Sequence, residues 1–309
     1  MKKKIFLFAI FCWAFPMVWC SADEQTAVAV IFSSDIEPYQ QAWRSFKEFL
    51  DQKKVALRVS KYNLKEKQPE AICSEINKEK PDLVFTLGSA ASKLAKEKIG
   101  DIPVLFCMVM DPQAVIGLNI TGVSMDIPAM MKLENIKRVL PDVKKIGLIY
   151  SFKLTQQYEK ILQASEELGF QIIGMEIASG KELHSALKEM SHQIDCFLMI
   201  PDPEIYFPQS VKYLLLESLR NKFKVVGLSS FYTKAGALVS FDCDYKDLGR
   251  QAGKIALRIF NGEKPNDIKF IIPGKIKVSI NLITAERLGI EISQDIIKEA
   301  IVFGGEIFE

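Results

Sequence analysis

The stretch Asp82-Leu-Val-Phe-Thr-Leu87 is a short apolar run, and Gly88-Ser89-Ala90-Ala91-Ser92 follows it as a small, hydroxyl-rich turn into a segment of helical character, ASKLAKEK. A helix starting there leaves its first N–H groups without intrahelical partners, and its dipole adds positive partial charge at the same point. Gly88, Ser89 and Ala90 therefore suit an anion; the bland alternative is that Ser89 only caps the helix. Other residues with chemistry to offer sit at similar junctions. Ser33, Asp35 and Tyr39 follow AVAVIF, and Asp111 follows IPVLFCMVM. Tyr150 ends KKIGLIY, Asp202 ends CFLMIPD, Ser229 and Phe231 follow KVVGL, and Asp242 follows GALVSF. The carboxylates among them are acceptors, and the aromatics are wall material for an apolar pocket.

These junctions recur because the chain alternates two periodicities. AVAVIF (27–32) reads as a strand, and Trp43, Phe46, Phe49 and Leu50 then recur at helical spacing. Strands are expected at 57–62, 82–87 and 102–110, with helices at 69–79 and 89–98 between them. Runs of continuous apolar residues such as IPVLFCMVM indicate strands buried on both faces, so the series predicts a parallel sheet flanked by helices. Turn formers then cluster from Asp111-Pro112 to Pro128, after which the alternation restarts and runs to the helix DLGRQAGKIALRIF. Asp244 reads as the N-cap of that helix and Asn261-Gly262 as its end. The expected fold class is α/β, and the two successive series joined through the Gly/Pro/Asn-rich crossover from Asp111 to Pro128 suggest two lobes. In open parallel sheets ligands lie beyond the carboxyl ends of the strands, which is where the residues named above fall.

Composition excludes several classes of function. The 309 residues carry a formal net charge of +2 and are 25% charged, so nothing points to nucleic acid. Only two histidines occur, His184 and His192, both in or near a charged amphipathic helix; a histidine triad or histidine-rich metal site is hard to build from them. There is no G-x-S-x-G elbow, GxxxxGK[ST] loop or G-x-G-x-x-G fingerprint. The expectation is a binder and not an enzyme, with no cofactor and no metal.

Lys2-Lys3-Lys4, the apolar run from Ile5 to Trp19 and Cys20-Ser21-Ala22 match a secretory signal peptide over residues 1–22. A rival cut would leave Cys20 as a lipidated N-terminus; a third reading is a retained anchor. Removing three lysines and no acid takes the net charge from +2 to −1. Cys73, Cys107, Cys196 and Cys243 remain, and they read as buried thiols acting as small hydrophobes.

Several segments taken in order resemble a known family: TLGSAAS, the strand ending in Met110-Asp111-Pro112, NITGVS, LPDVKKIGLIY, IPDPEIY, GALVSFDCDYKDLGRQAGKIALRIFNGEKP and NLITAERLGIEIS. They are similar to the solute-binding proteins of ABC transporters that include tryptophan- and tyrosine-binding members. The resemblance covers essentially the whole chain after residue 22. It implies a type I periplasmic-binding fold with two Rossmann-like lobes joined by a hinge, lobe 1 comprising 23–121 plus about 242–264 and lobe 2 comprising 122–241 plus about 265–309. It also implies a small-molecule ligand held between the lobes, an ABC permease as partner, a monomer and an extracytoplasmic location; the alternative is a ligand-sensing module partnering a membrane receptor or kinase. An amino-acid ligand would place its carboxylate at Gly88, Ser89 and Ala90. Its ammonium would lie on Asp202 first and Asp111 second, with Asp242 and Asp35 as further acceptors. Two departures lie near the expected hinge: QAVIGLNITGVS is shorter than in many relatives, and Asp242 stands where relatives often have Gly.

Overall fold

A computed structural model describes residues 25–304. The signal-peptide reading, with Cys20, lies outside the described residues.

The first series forms β1 (Thr26–Phe32), α1 (Glu37–Gln52), β2 (Leu57–Asn63), α2 (Pro69–Glu79), β3 (Leu83–Leu87), α3 (Ser89–Lys98), β4 (Val104–Val109) and β5 (Ile120–Ser124). The strands make one parallel sheet in the order β2-β1-β3-β4-β5. β3, β4 and β5 are buried along their whole length, which explains the continuous apolar sequence of β4 and the largely apolar one of β3; β5 (ITGVS) buries Thr121 and Ser124 as well. β2, at the edge, is mostly half-buried, with Arg58 and Lys61 exposed, and reads LRVSKYN.

The second series supplies α4 (Ala129–Val139), β6 (Lys145–Tyr150), α5 (Thr155–Leu168), β7 (Gln171–Glu176), α6 (Leu183–Met190), β8 (Cys196–Leu198), α7 (Pro208–Asn221), β9 (Lys224–Gly227), α8 (Ser230–Ala235) and β10 (Val239–Cys243). After α9 (Tyr245–Phe260) come β11 (Ile276–Asn281), α10 (Leu282–Leu288), α11 (Gln294–Glu299) and β12 (Ile301–Phe303). The second sheet has the order β12-β11-β10-β9-β8-β6-β7 and is parallel except for the β10–β11 pair. This is the α/β, two-lobe arrangement of a type I periplasmic-binding fold.

The chain crosses between the sheets after β5, after β10 and before β11. On the second crossing Asp244 caps α9 by accepting from the Lys246 and Asp247 N–H groups. α9 then lies on α1 of the first lobe, and its sequence allows a very close approach. A Cβ at Gly249 would overlap the Ala42 carbonyl, and one at Gly253 would come within 2.7 Å of the Phe49 ring. Residues 268–271 stay with the first lobe: the Thr121 hydroxyl donates to the Ile268 carbonyl (2.7 Å), and the Ser124 N–H to that of Ile271 (2.8 Å). The expected boundary at 121 thus falls inside β5, and Asp242 lies in β10 of the second sheet, before the crossing. Of the last forty residues, β11 and β12 extend the second sheet.

Candidate functional site

Both sheets end toward the crossovers, and their carboxyl edges carry the loops named above. On the first lobe, Gly88 adopts φ +91°, a conformation that glycine takes without strain. A Cβ there would overlap the Tyr39 hydroxyl and lie 2.8 Å from the Ser33 oxygen, so Ser33, Tyr39 and Gly88 are brought together. The Gly88 N–H donates to the Cys107 carbonyl (2.9 Å), and the Ala91 N–H donates to the Ser33 hydroxyl oxygen (3.0 Å). Within this frame the Ser89 and Ala90 N–H groups have no hydrogen-bond partner among the described residues. Ser89 does not cap α3 with its side chain; the N-cap is Gly88. Asp35 is exposed and accepts from the Gln40 amide (2.8 Å) on the first turn of α1.

β4 supplies the next piece. Its register against β5 shifts between Cys107 and Val109, and buried Met108 there has φ +62°. Such a bulge re-aims the strand end, which carries Met110 and Asp111. Asp111 is exposed and accepts from the Gln113 N–H (3.1 Å), capping a short turn.

The second lobe treats its candidates differently. Asp202 is buried, and both its oxygens accept backbone N–H bonds, one from Ser151 (2.8 Å) and one from Glu204 (3.0 Å). It ties the loop after β6 to the loop after β8, a structural use of the carboxylate that the ammonium assignment did not foresee. The Ser151 hydroxyl beside it is buried without a partner among the described residues. Tyr150 is buried in a stack with Tyr158, their centroids 4.5 Å apart, and burial is the first cause of its raised pKa. Ser229 precedes α8 without capping it through its side chain. Phe231 is 73% exposed and faces an outer groove with Tyr206 and Leu215. Asp242 accepts from the Tyr245 hydroxyl (2.6 Å) and its neighbour's N–H at Cys243 (2.9 Å), with the Ser230 N–H at 3.5 Å.

A cavity of about 70 Å³ lies where the two edges meet. Met110 and Met125 line it from the first lobe and its crossover; Leu198, Pro201, Val226 and Phe241 line it from the second. Two charged side chains reach it, Asp242 and Lys132. Lys132 comes from the first turn of α4, and its side chain is 21% exposed. Its ammonium makes no hydrogen bond among the described residues, and its nearest carboxylate, that of Asp126, is 3.9 Å away. Burial pushes the Lys132 pKa below its ordinary 10.5, opposed by Asp126 and Cys243. Burial pushes that of Asp126 up, opposed by Lys132 and Lys160. Sequence reasoning missed Lys132. One signal was available: a cation in the first turn of a helix opposes the dipole there, so the lysine needs another reason to be present.

The match to known proteins is extended. The family model for the ABC transporter substrate binding protein covers residues 27–303. The chain belongs to the ABC transporter substrate-binding family. A tyrosine-binding protein of Clostridioides difficile is 24% identical over 241 residues, 74% of this chain and 69% of that protein. Among solved structures of substrate-binding proteins, a ligand-free, open one with adhesive properties from Clostridium difficile superposes with a TM-score of 0.79 at 20% identity, covering 91% of this chain and all of that one. An ABC domain from Streptococcus pneumonia in complex with L-Trp gives 0.65 at 23% identity, covering 90% of this chain and all of the other. Substrate-binding proteins of this family capture small ligands. Among the described residues, no group of three or more His, Cys, Asp or Glu could hold a metal ion.

Proposed function

We propose that this substrate-binding protein is an exported monomer that captures an amino acid with an apolar or aromatic side chain and delivers it to an ABC permease. The carrying observation is the charge pattern of the cavity between the sheets, whose otherwise apolar lining includes one ammonium, Lys132, and one carboxylate, Asp242; at about 70 Å³ it is smaller than a whole-ligand site and is read as the floor of the site. A zwitterion with an apolar body is the complement of such a lining. The unpartnered Ser89 and Ala90 N–H groups, on the first-lobe edge with Ser33 and Tyr39, offer a second hold on a carboxylate. Asp242, its oxygens already drawn toward Tyr245 and Ser230, is a preorganised acceptor for the ammonium. The relatives named for tyrosine and bound to L-Trp favour an aromatic ligand. Contacts from both lobes would stabilise the closed state about the crossovers, which act as the hinge.

A thermal-shift panel of amino acids, sugars, nucleosides and polyamines tests this reading. A ligand at 100 times its Kd adds roughly 2.7 kcal/mol of stability and raises Tm by several degrees. The expected hits are tyrosine, tryptophan or aliphatic amino acids. A folded protein that responds only to sugars, nucleosides or polyamines would overturn it.

A further inference from the structure

A second concavity lies on the seven-stranded lobe, walled by α7, α8 and α10. Its volume is about 630 Å³, within the range of small-molecule sites, and it shares no lining residue with the cavity between the sheets. Ten large apolar side chains are exposed among the described residues, and four of them, Phe207, Leu216, Phe231 and Ile283, line this one groove. Single exposed apolar residues are ordinary on a protein surface; their concentration in one concave place marks a binding site.

The charges on the groove are of one sign. Lys212 of α7, Lys234 of α8 and Arg287 of α10 line it, all three exposed, and no carboxylate does. None of the three forms an ion pair among the described residues. Two polar neighbours are already committed within the fold. Asn281 donates to the Thr233 carbonyl (2.9 Å) and accepts from the Thr284 N–H (2.9 Å), while the Thr284 hydroxyl donates to the Gly236 carbonyl (3.0 Å). What the groove leaves unmet is an apolar floor ringed by cations from three different helices.

We propose that this groove binds a single-chain amphiphile with an anionic head, a long-chain carboxylate. The chain lies on Leu216, Phe231 and Ile283, and the head meets Lys212, Lys234 and Arg287. A groove of small-molecule size whose charges are all positive matches such a ligand in both shape and sign. The proposal is independent of the amino-acid reading of the cleft.

The test is fluorescence of cis-parinaric acid on the protein, with displacement by oleate and by uncharged oleyl alcohol. Saturable binding is expected, with displacement by both. The triple variant Lys212→Ala/Lys234→Ala/Arg287→Ala should raise the apparent Kd for oleate tenfold or more and leave oleyl alcohol unchanged. Leu216→Ser/Phe231→Ser should weaken both. All five positions are exposed, so melting temperatures are expected to stay near that of the parent. Absence of saturable parinarate binding, equal oleate affinity in parent and triple variant, or displacement of the probe by amino acids would each overturn the proposal. Binding of an acidic amphipathic peptide in place of parinarate would also overturn it and assign the groove to a protein partner.

Discussion

At the scale of single residues, Lys132 carries the most weight. A charge-assisted hydrogen bond contributes about 1.5–3 kcal/mol, so Lys132→Met should raise the Kd for an amino-acid ligand roughly tenfold or more, measured by titration calorimetry. The same change should stabilise the ligand-free protein by ~1 kcal/mol, because a sparsely partnered ammonium leaves the cavity. The pH dependence has a definite sign. Burial lowers the folded-state pKa of Lys132 below 10.5, so between the two values the unfolded chain alone keeps the proton and stability rises with pH. The advantage of Lys132→Met in thermal melts should therefore be largest below the lowered pKa and shrink toward pH 10.5; an advantage that grew with pH would refute the assignment. Legibility at this scale divided by range. The Gly88-Ser89 turn could be read because strand end, glycine and helix start are adjacent. Asp202 could not, because its partner Ser151 is 51 residues away and no local pattern shows that its oxygens accept backbone N–H groups and tie two loops together. Phe231 reads as a cleft aromatic from its loop position, yet α8 turns it to the outer groove.

At the scale of elements, two close approaches make the architecture sensitive to single methyl groups. Gly88→Ala imposes φ +91° on an alanine and pushes against Tyr39 and Ser33. It should destabilise by about 1–3 kcal/mol and weaken ligand binding together, as read by urea titration and calorimetry. Gly249→Ala drives a methyl into the Ala42 carbonyl at the α1–α9 contact and should cost about 1–3 kcal/mol, also in urea. If Gly249→Ala left the urea midpoint unchanged, the packing of α9 on the first lobe would be wrong. The four cysteines in the described strands and helices are buried and free; burial holds Cys196 and Cys243 at about 12. None of the four should react with a thiol reagent at pH 8 until the protein unfolds. Most elements were legible because buried parallel strands are continuous apolar runs. The start of β10 was not: the apolar run GALVSF extends back to Gly236, but Gly236 takes φ +125° and ends α8, and β10 begins at Val239. Which sheet received each late strand also stayed hidden, since crossovers are set by tertiary packing and leave no periodicity.

At the scale of the whole molecule, the proposed function rests on the charge pattern of the cavity between the sheets and on the three crossovers beside it: in that proposal a zwitterion gathers the two lobes. Small-angle scattering should show a smaller radius of gyration with ligand than without, since ligand bound to both lobes favours the closed state. The most direct test of the central claim is calorimetric titration of the protein with L-tyrosine and L-tryptophan and with the corresponding amines, tyramine and tryptamine, which lack only the carboxylate. The account predicts saturable one-to-one binding of at least one of the two amino acids, with its amine at least tenfold weaker because Lys132 and the α3 N–H groups lose their partner. Amines that bind as tightly as the amino acids, or binding that survives intact in Lys132→Met, would contradict it.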